Sequence, residues 1–482
     1  VFYLQSHYAT EENLQGIMIK KSIYNICISA ALLYLSQGLQ AQPLGIKEAL
    51  GTATANYESI KAKSSYVQAS TARLAQARRS YAPNLVLSAQ QDYGTVNGQN
   101  GPLYGFGGYG VASSGLPLPG QNWNAGFGAL YLANFNWEFF SFGRVRGRIK
   151  IATGMLQTDS ADLAQELFQH QVKVAAAYLN LLAAQRITRT QERNLERALV
   201  FKTMAVSRAG NGLIAGVDSS LAAAEVSNAR IALIRAKDTE QEHASKLAVL
   251  MGIQATDFVL DTTFLSRVPV SVFSSVSFRE QEHPLLRFLQ SRTLLSNEQT
   301  RMLRRQYYPS FSLFAVMQGR GSGFEAGYTQ DQTKFTRNYA AGITPTRANY
   351  LLGVGMNWNI MSVLQHESQV RAQKFVTEGL QHEYELARQQ LLAQQALAEQ
   401  KLRNAMDAYN EAPQQVRSAM DAYTQKNVMY SNGLTTIVDV TQAMYALTRA
   451  ETDREIAYTN VWQALLMKAA ATGDMGIFIN EF

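Results

Sequence analysis

The residues that could do chemistry in this chain are few and scattered. Its six histidines, at 7, 170, 243, 283, 366 and 382, form no H-E-x-x-H or other metal-ligand spacing. No G-x-S-x-G elbow and no phosphate-cradling glycine loop occurs; the glycine-rich runs lie between alternating segments, where hairpin tips belong. Cys27 is the single cysteine, which excludes a disulfide framework. Catalysis is not expected, and neither a metal nor a cofactor is implied. The patterned residues are two short strings of another kind. Asn432-Gly433-Leu434 with Val438-Asp439 repeats Asn211-Gly212-Leu213 with Val217-Asp218 at a spacing of 221. Asn and Gly tolerate the left-handed backbone that ends a helix. Asp218 and Asp439 are read as N-caps of the helices that follow, because a carboxylate accepts the orphan N–H groups of a first turn.

The elements around these turns repeat as well. Asn136-Trp137 matches Asn357-Trp358, and Gly252 matches Gly473, again 221 apart. Pro83 and Pro309 are 226 apart, so the second hairpin loop is five residues shorter than the first. Each copy reads as helix, proline break, strand, glycine-rich loop, strand, long helix, turn and return helix. Residues 43–82 are helical in period, and Pro83 ends them because proline cannot continue the helical ladder. Leu85, Leu87, Ala89 and Tyr93 alternate with Ser88, Gln90 and Asp92. From Trp123 to Phe139, aromatic and apolar residues hold every second position, with Gly126, Gly128, Asn134 and Asn136 between them. That alternation fits a strand facing lipid on one side and water on the other. About 66 residues after Gly143 keep a helical period without proline, which at ~1.5 Å each is roughly 100 Å of helix. Such length calls for coiled-coil packing.

In the second copy Phe311, Leu313, Ala315 and Met317 alternate along a strand. So do Leu352, Val354, Met356, Trp358 and Ile360, against Gly353, Gly355, Asn357 and Asn359. A long helix follows over 362–430, interrupted by Pro413, which removes a ladder bond and bends it. The domain division expected is 1–41 upstream residues and signal peptide, 42–252 first repeat, 253–277 insertion with a strand-like 268–276, and 278–482 second repeat and tail.

Composition sets the class. Of 482 residues 46% are hydrophobic and 17% charged, which excludes a disordered chain. The net charge of +7 is spread rather than clustered, so no nucleic-acid stripe is present. Lys20-Lys21 after Met18, the apolar stretch 23–35, and Ala41 before Gln42 read as an export signal cleaved at Ala41–Gln42, with residues 1–17 as upstream sequence. Beyond residue 41 no apolar run is long enough for a spanning helix. Four amphipathic strands cannot close a barrel, and lipid does not tolerate open strand edges, so several chains must close one together. The small residues Gly126, Gly128, Gly353 and Gly355 leave space for an open lumen in that ring.

In this order of elements, and in GLTTIVDV at 433–440 and GLIAGVD from Gly212 to Asp218, the chain resembles the TolC-type outer membrane efflux family over residues 42–475. The resemblance implies a membrane α/β barrel: a homotrimer with a twelve-stranded β-barrel in outer membrane lipid, continued by a helical barrel in the periplasm, with an equatorial insertion. It implies the exit duct of a tripartite efflux or type I secretion system, fed by an inner-membrane transporter. A periplasmic adaptor (membrane fusion) protein would dock on the turns, at Asn211, Gly212, Leu213, Val217, Asp218, Asn432, Gly433, Leu434, Thr435, Val438 and Asp439. Some relatives carry a lipidated N-terminal cysteine, a pattern from which this chain departs. Acidic rings constrict the tube in this family. Asp421, about three turns before Gly433, and Asp407 are the candidates here, although their offset from the family's positions favours plain surface exposure. Arg78, Arg79, Arg304 and Arg305 precede the two prolines, and Arg144, Arg146 and Arg148 follow a strand exit. They read as helix C-terminal charges, as a basic girdle at lipid headgroups, or as both. The rival class is an adhesin or receptor with a non-conducting helical stalk.

Overall fold

A computed structural model describes residues 43–98, 115–212, 214–254, 257–272 and 280–482. The expectations for the signal peptide, Ala41, Gln42, Leu213 and most of the first glycine-rich loop lie outside these residues. The chain divides into two compact units. One holds the described residues of 62–165 and 284–388; the other holds those of 43–61, 166–283 and 389–482.

The first unit carries a four-stranded antiparallel sheet in the order β1 (Asn84–Thr95), β2 (Ala125–Phe140), β3 (Ser310–Ser322) and β4 (Arg347–Asn357). Its register gathers the alternating residues into continuous rows. Leu87 pairs with Ala133, Ala133 with Met317 and Met317 with Tyr350, so one face is apolar and aromatic across all four strands. On the opposite face Ser88, Leu132, Gln318 and Asn349 form one row, and Asn84, Asn136, Phe314 and Gly353 another. That second face is less small than the alternation predicts. The Phe314 ring occupies the space over Gly353 and Gly355; a Cβ on Gly353 would lie 2.5 Å from its Cζ. Over Gly126 stands Phe324, 3.2 Å from where a Cβ would be. Three of the four glycines expected to leave room thus receive a ring, and at Gly353 a hydrogen side chain is the condition for it. Residues 319–346 are also more ordered than a glycine-rich loop: β3 continues to Ser322, and a short helix spans Tyr339–Ile343.

The sheet's supporting helices show the duplication at residue level. Helix α2 (Glu58–Arg79) and helix α5 (Pro284–Arg305) are each 22 residues long and begin 226 positions apart. The single helix expected over 43–82 is two, α1 (Ile46–Asn56) and α2, with Tyr57 extended between them at ψ 120°. Tertiary contact explains the break. Tyr57 stacks on His170 with ring centroids 3.8 Å apart. The end of helix α4 (Gly216–Met251) also abuts it, since a Cβ on Gly252 would lie 3.0 Å from Asn56. The second copy repeats this joint: His283, 226 beyond Tyr57, packs where a Cβ on Gly473 would lie 2.7 Å from its ring.

The second unit is helical. Helix α3 (Arg144–Gly210) has 67 residues and helix α7 (Ser362–Ser431) 70; each begins in the sheet-bearing unit and ends in the helical one. They return as α4 and as α8 (Ile437–Thr472). Pro413 stands inside α7, which continues through it. The largest core joins α1, α3, α4, α8 and the C-terminal tail, with Tyr178, Leu181, Leu247, Trp462 and Phe478 fully buried. The described part of the insertion contains two 3-10 turns, Thr263–Ser266 and Val270–Val272, rather than the strand expected from 268. Phe264 fills its turn against Trp462 at 4.8 Å, and that packing holds the segment curled.

Candidate functional site

The second turn is built mainly from local bonds. After α7 ends, Gly433 adopts φ 78° and its N–H reaches the Tyr430 carbonyl at 3.0 Å. Leu434 N–H donates to Met429 O at 2.9 Å, and the Asn432 amide to Val428 O at 2.9 Å, so the last helical carbonyls are satisfied. The N-cap of α8 is Thr436, not Asp439 as the sequence suggests. Thr436 Oγ1 accepts from Asp439 N–H, and Asp439 Oδ2 accepts from Thr436 N–H at 3.2 Å. This is a capping box, with Asp439 at the third helical position. Thr436 and Thr435 hydroxyls also donate to Oδ2, at 2.6 and 2.8 Å, and Lys426 stands 3.6 Å from Oδ1. The hydrogen bonds, and then the lysine, hold the Asp439 carboxyl well below the usual carboxylate range.

The first turn departs from this pattern. Gly212 has φ 71°, as the sequence requires. The N-cap of α4 is Ala215, where the repeat has Thr436, and no side chain caps it. Asp218 is therefore not an N-cap either; it lies in the first turn of α4 with no hydrogen bond to its carboxylate among the described residues. Val217 is 62% exposed, Val438 64% and Leu434 70%, so both turns present apolar side chains to solvent.

Arg208, near the end of α3, joins the two turns. Its guanidinium donates to Tyr430 O at 2.8 Å and to Ser431 O, with its Cζ 5.4 Å from the Tyr430 ring centre. Beneath it Phe201, Ala205, Ala222, Tyr430, Ile437 and Val440 form a core shared by all four helices. Farther along, Arg197 contacts Glu451 Oε2 at 2.9 Å and Thr448 Oγ1 at 3.2 Å, and Thr448 donates to Asn194 at 2.7 Å. Sequence reading missed Arg208 and Arg197, because their partners lie more than 220 positions away and no spacing announces them.

The proline junctions also contain partners that sequence reading missed. The Trp137 indole N–H donates to Tyr81 O at 3.0 Å, and the Trp358 indole to Tyr307 O at 3.0 Å. Each indole thus locks a strand end onto the residue two before Pro83 or Pro309. The signal was present in the two tryptophans 221 apart and the two prolines 226 apart. Between β2 and α3, Phe142 takes φ 49°, a left-handed conformation rare for an aromatic residue, and stacks on Tyr308 at 5.1 Å. The arginines separate. Arg144 pairs with Glu138 at 3.5 Å, and both line a cleft with Arg148, Ser310 and Asn357 on the polar-face side. Arg304 and Arg305 line another cleft, with Phe142 and Tyr308. Arg78, Arg79 and Arg146 are exposed.

Asp407 and Asp421 are exposed, and neither side chain has a partner among the described residues. Fourteen positions apart, they share the face of α7 away from its buried seam of Leu402, Ala405 and Ala412. The buried histidines do not meet: burial pushes both His170 and His283 below the ordinary histidine value, which leaves them neutral at pH 7. Among the described residues no group of three or more His, Cys, Asp or Glu is placed to hold a metal, and no helix is long and apolar enough to cross a membrane.

Comparison with known proteins agrees with this geometry. Residues 49–253 match the family described as "Outer membrane efflux protein". No match to a curated protein was found. Among solved structures, the outer membrane protein VceC of Vibrio cholerae aligns with a TM-score of 0.68 at 17% identity, over 89% of this chain and 96% of that one. The CmeC outer membrane channel of Campylobacter jejuni gives 0.70 at 13%, over 89% and 85%. The open state of the Neisseria gonorrhoeae MtrE outer membrane channel gives 0.68 at 16%, over 89% of each chain. The chain thus carries the sequence pattern of the outer membrane efflux protein family in its first repeat, and it has the fold of these channels across both repeats.

Proposed function

We propose that three copies of this chain close a twelve-stranded barrel in the outer membrane and form the exit duct of a tripartite efflux or type I secretion system. The observation that carries this reading is the open sheet. Strands β1 and β4 form its two edges, each paired on one side only among the described residues, and its apolar face runs unbroken across all four strands. Hydrocarbon leaves unpaired N–H and C=O groups unhydrated at a cost of several kcal/mol each, so the edges need strands from further copies. Eight strands make a barrel filled by its own side chains; twelve leave a lumen for the polar face to line.

The helices of the three copies supply the periplasmic part of the duct. Substrate passes through it passively, from an inner-membrane transporter and its periplasmic adaptor. The exposed apolar residues of the turns, Leu434, Val438 and Val217, suit docking into an adaptor's helical groove.

Reconstitution into planar bilayers tests the reading. The purified protein is expected to show discrete single-channel conductance, and native mass spectrometry in detergent is expected to give a trimer. A stable monomer of full β-content, or a trimer that does not conduct, would overturn it in favour of the adhesin or receptor.

A further inference from the structure

The two clefts at the end of the sheet differ in charge. The polar-side cleft balances Arg144 against Glu138 at 3.5 Å. The other, of about 770 Å³, has no acidic residue in its lining and four cations: Arg301, Arg304, Arg305 and Lys374. Phe142 and Tyr308 form its aromatic wall. A chain of rings places it on the apolar side. Phe140 pairs with Phe311 in register on the apolar face, packs 4.8 Å from Phe142, and Phe142 stacks on Tyr308. A β-bulge at Glu138/Phe140 re-aims Phe140 onto that face, and the left-handed Phe142 turns the next ring into the same row. Backbone strain of this kind persists where surrounding structure holds it, and clusters at ligand sites.

Two of the cations are already committed. Arg305 donates to Gly143 O at 3.1 Å, and Arg301 pairs with Glu298. Arg304 and Lys374 are exposed and have no side-chain partner among the described residues. A cationic cleft just beyond an apolar strand face, walled by a tyrosine, matches the depth at which lipid phosphates lie.

We propose that this cleft binds the phosphate of an anionic phospholipid of the inner leaflet, with Arg304 and Lys374 as its contacts and the acyl chains along the apolar face. Arg304 can engage phosphate oxygens bidentately, while Lys374 acts as a point charge. The first repeat supplies an internal control. Arg78 and Arg79 stand 226 positions before Arg304 and Arg305, but Ala82 replaces Tyr308, so the ring wall is missing.

The proposal rests on the outer-membrane reading, and the test separates the two. The detergent-purified protein is titrated in native mass spectrometry with phosphatidylglycerol and with phosphatidylcholine of the same acyl chains. The wild type is expected to hold phosphatidylglycerol about thirtyfold more tightly, from roughly 1 kcal/mol for each of the two cations near a headgroup. Arg304→Gln with Lys374→Gln is expected to bring the two lipids within twofold while oligomeric state and conductance stay unchanged. Arg78→Gln with Arg79→Gln is expected to preserve the preference. Millimolar inorganic phosphate is expected not to displace the lipid. Equal retention of both lipids by a conducting wild type overturns the site and leaves the channel reading intact. The same loss in the Arg78/Arg79 variant reduces the site to a diffuse girdle and overturns it, and displacement by phosphate makes it an anion site and overturns it. A protein that neither retains lipid nor conducts overturns both readings.

Discussion

At 432–439 the chain reverses with local bonds at both helix ends: glycine and asparagine close the outgoing helix, and Thr436 with Asp439 caps the returning one. At 211–218, 221 positions earlier, the same glycine and aspartate are present, but Ala215 stands at the cap. The first turn instead sends Arg208 across to the carbonyls of the second. Two copies of one motif have thus divided the work. One turn carries its own capping box, and the other lacks a side-chain cap and supplies the bond that ties both together. A preformed turn needs little ordering when a partner binds, so of the two turns proposed to dock an adaptor the second is expected to contribute more.

The largest effect should come from placing a charge on that second turn. Leu434→Asp is expected to abolish adaptor cross-linking and export while trimer yield and melting temperature stay near wild type. Val217→Asp, on the turn without a side-chain cap, is expected to weaken cross-linking without abolishing it. Equal effects from both would erase the distinction drawn here, and no effect from either would remove the turns as docking surfaces.

Next in size is the bond between the turns. Arg208→Ala removes two charge-assisted hydrogen bonds to carbonyls and is expected to cost about 2 kcal/mol, read by denaturant unfolding. Hydrogen exchange should rise at both turns, since one residue serves both. A rise at the first turn alone would show that the second does not use Arg208.

The caps give a smaller and reciprocal pair. Thr436→Ala should cost about 1 kcal/mol. Ala215→Thr should stabilise by about 0.5–1 kcal/mol, because Asp218 already stands where the other half of a capping box belongs. Thermal melts of the two variants and of wild type check both signs.

The smallest effect is on pH. The Asp439 carboxyl is depressed in the folded protein, so its contribution is fully present above the ordinary aspartate value near 4 and is lost only as pH falls through the lower folded one. Hydrogen exchange at 432–439 is therefore expected to show no carboxylate step between pH 7 and 4 once corrected for intrinsic exchange rates. Asp439→Asn should loosen the turn at pH 7 and become equivalent to wild type in strong acid.

Much of this was legible before any coordinates. The twofold order of elements, the four alternating strands, the long helices and the glycines of both turns follow from residue type and local period. The capping residue was also within reach: Thr436 followed by Asp439 is a local signature, and the carboxylate drew attention from the hydroxyl three positions earlier. The clasp of Arg208 on Tyr430 was not, nor the break at Tyr57. Each depends on a partner that the chain brings back only after a long excursion.

By itself, the sequence determined the periodicities and therefore the elements. Alternation of two along Trp137, Phe135 and Ala133, and of three to four along Tyr178 and Leu181, is imposed by backbone geometry within one segment. It also determined the duplication, which needs only matched residues at constant spacing. Tertiary structure alone decided which matched positions act alike. The two indoles both lock their junctions, yet only one turn has its own cap, and Phe314 fills the room above Gly353 that the pattern leaves open. The physical reason is that a period is a property of neighbours along the chain. A hydrogen bond, or a ring over a glycine, belongs to neighbours in space, and the folded chain alone brings those together.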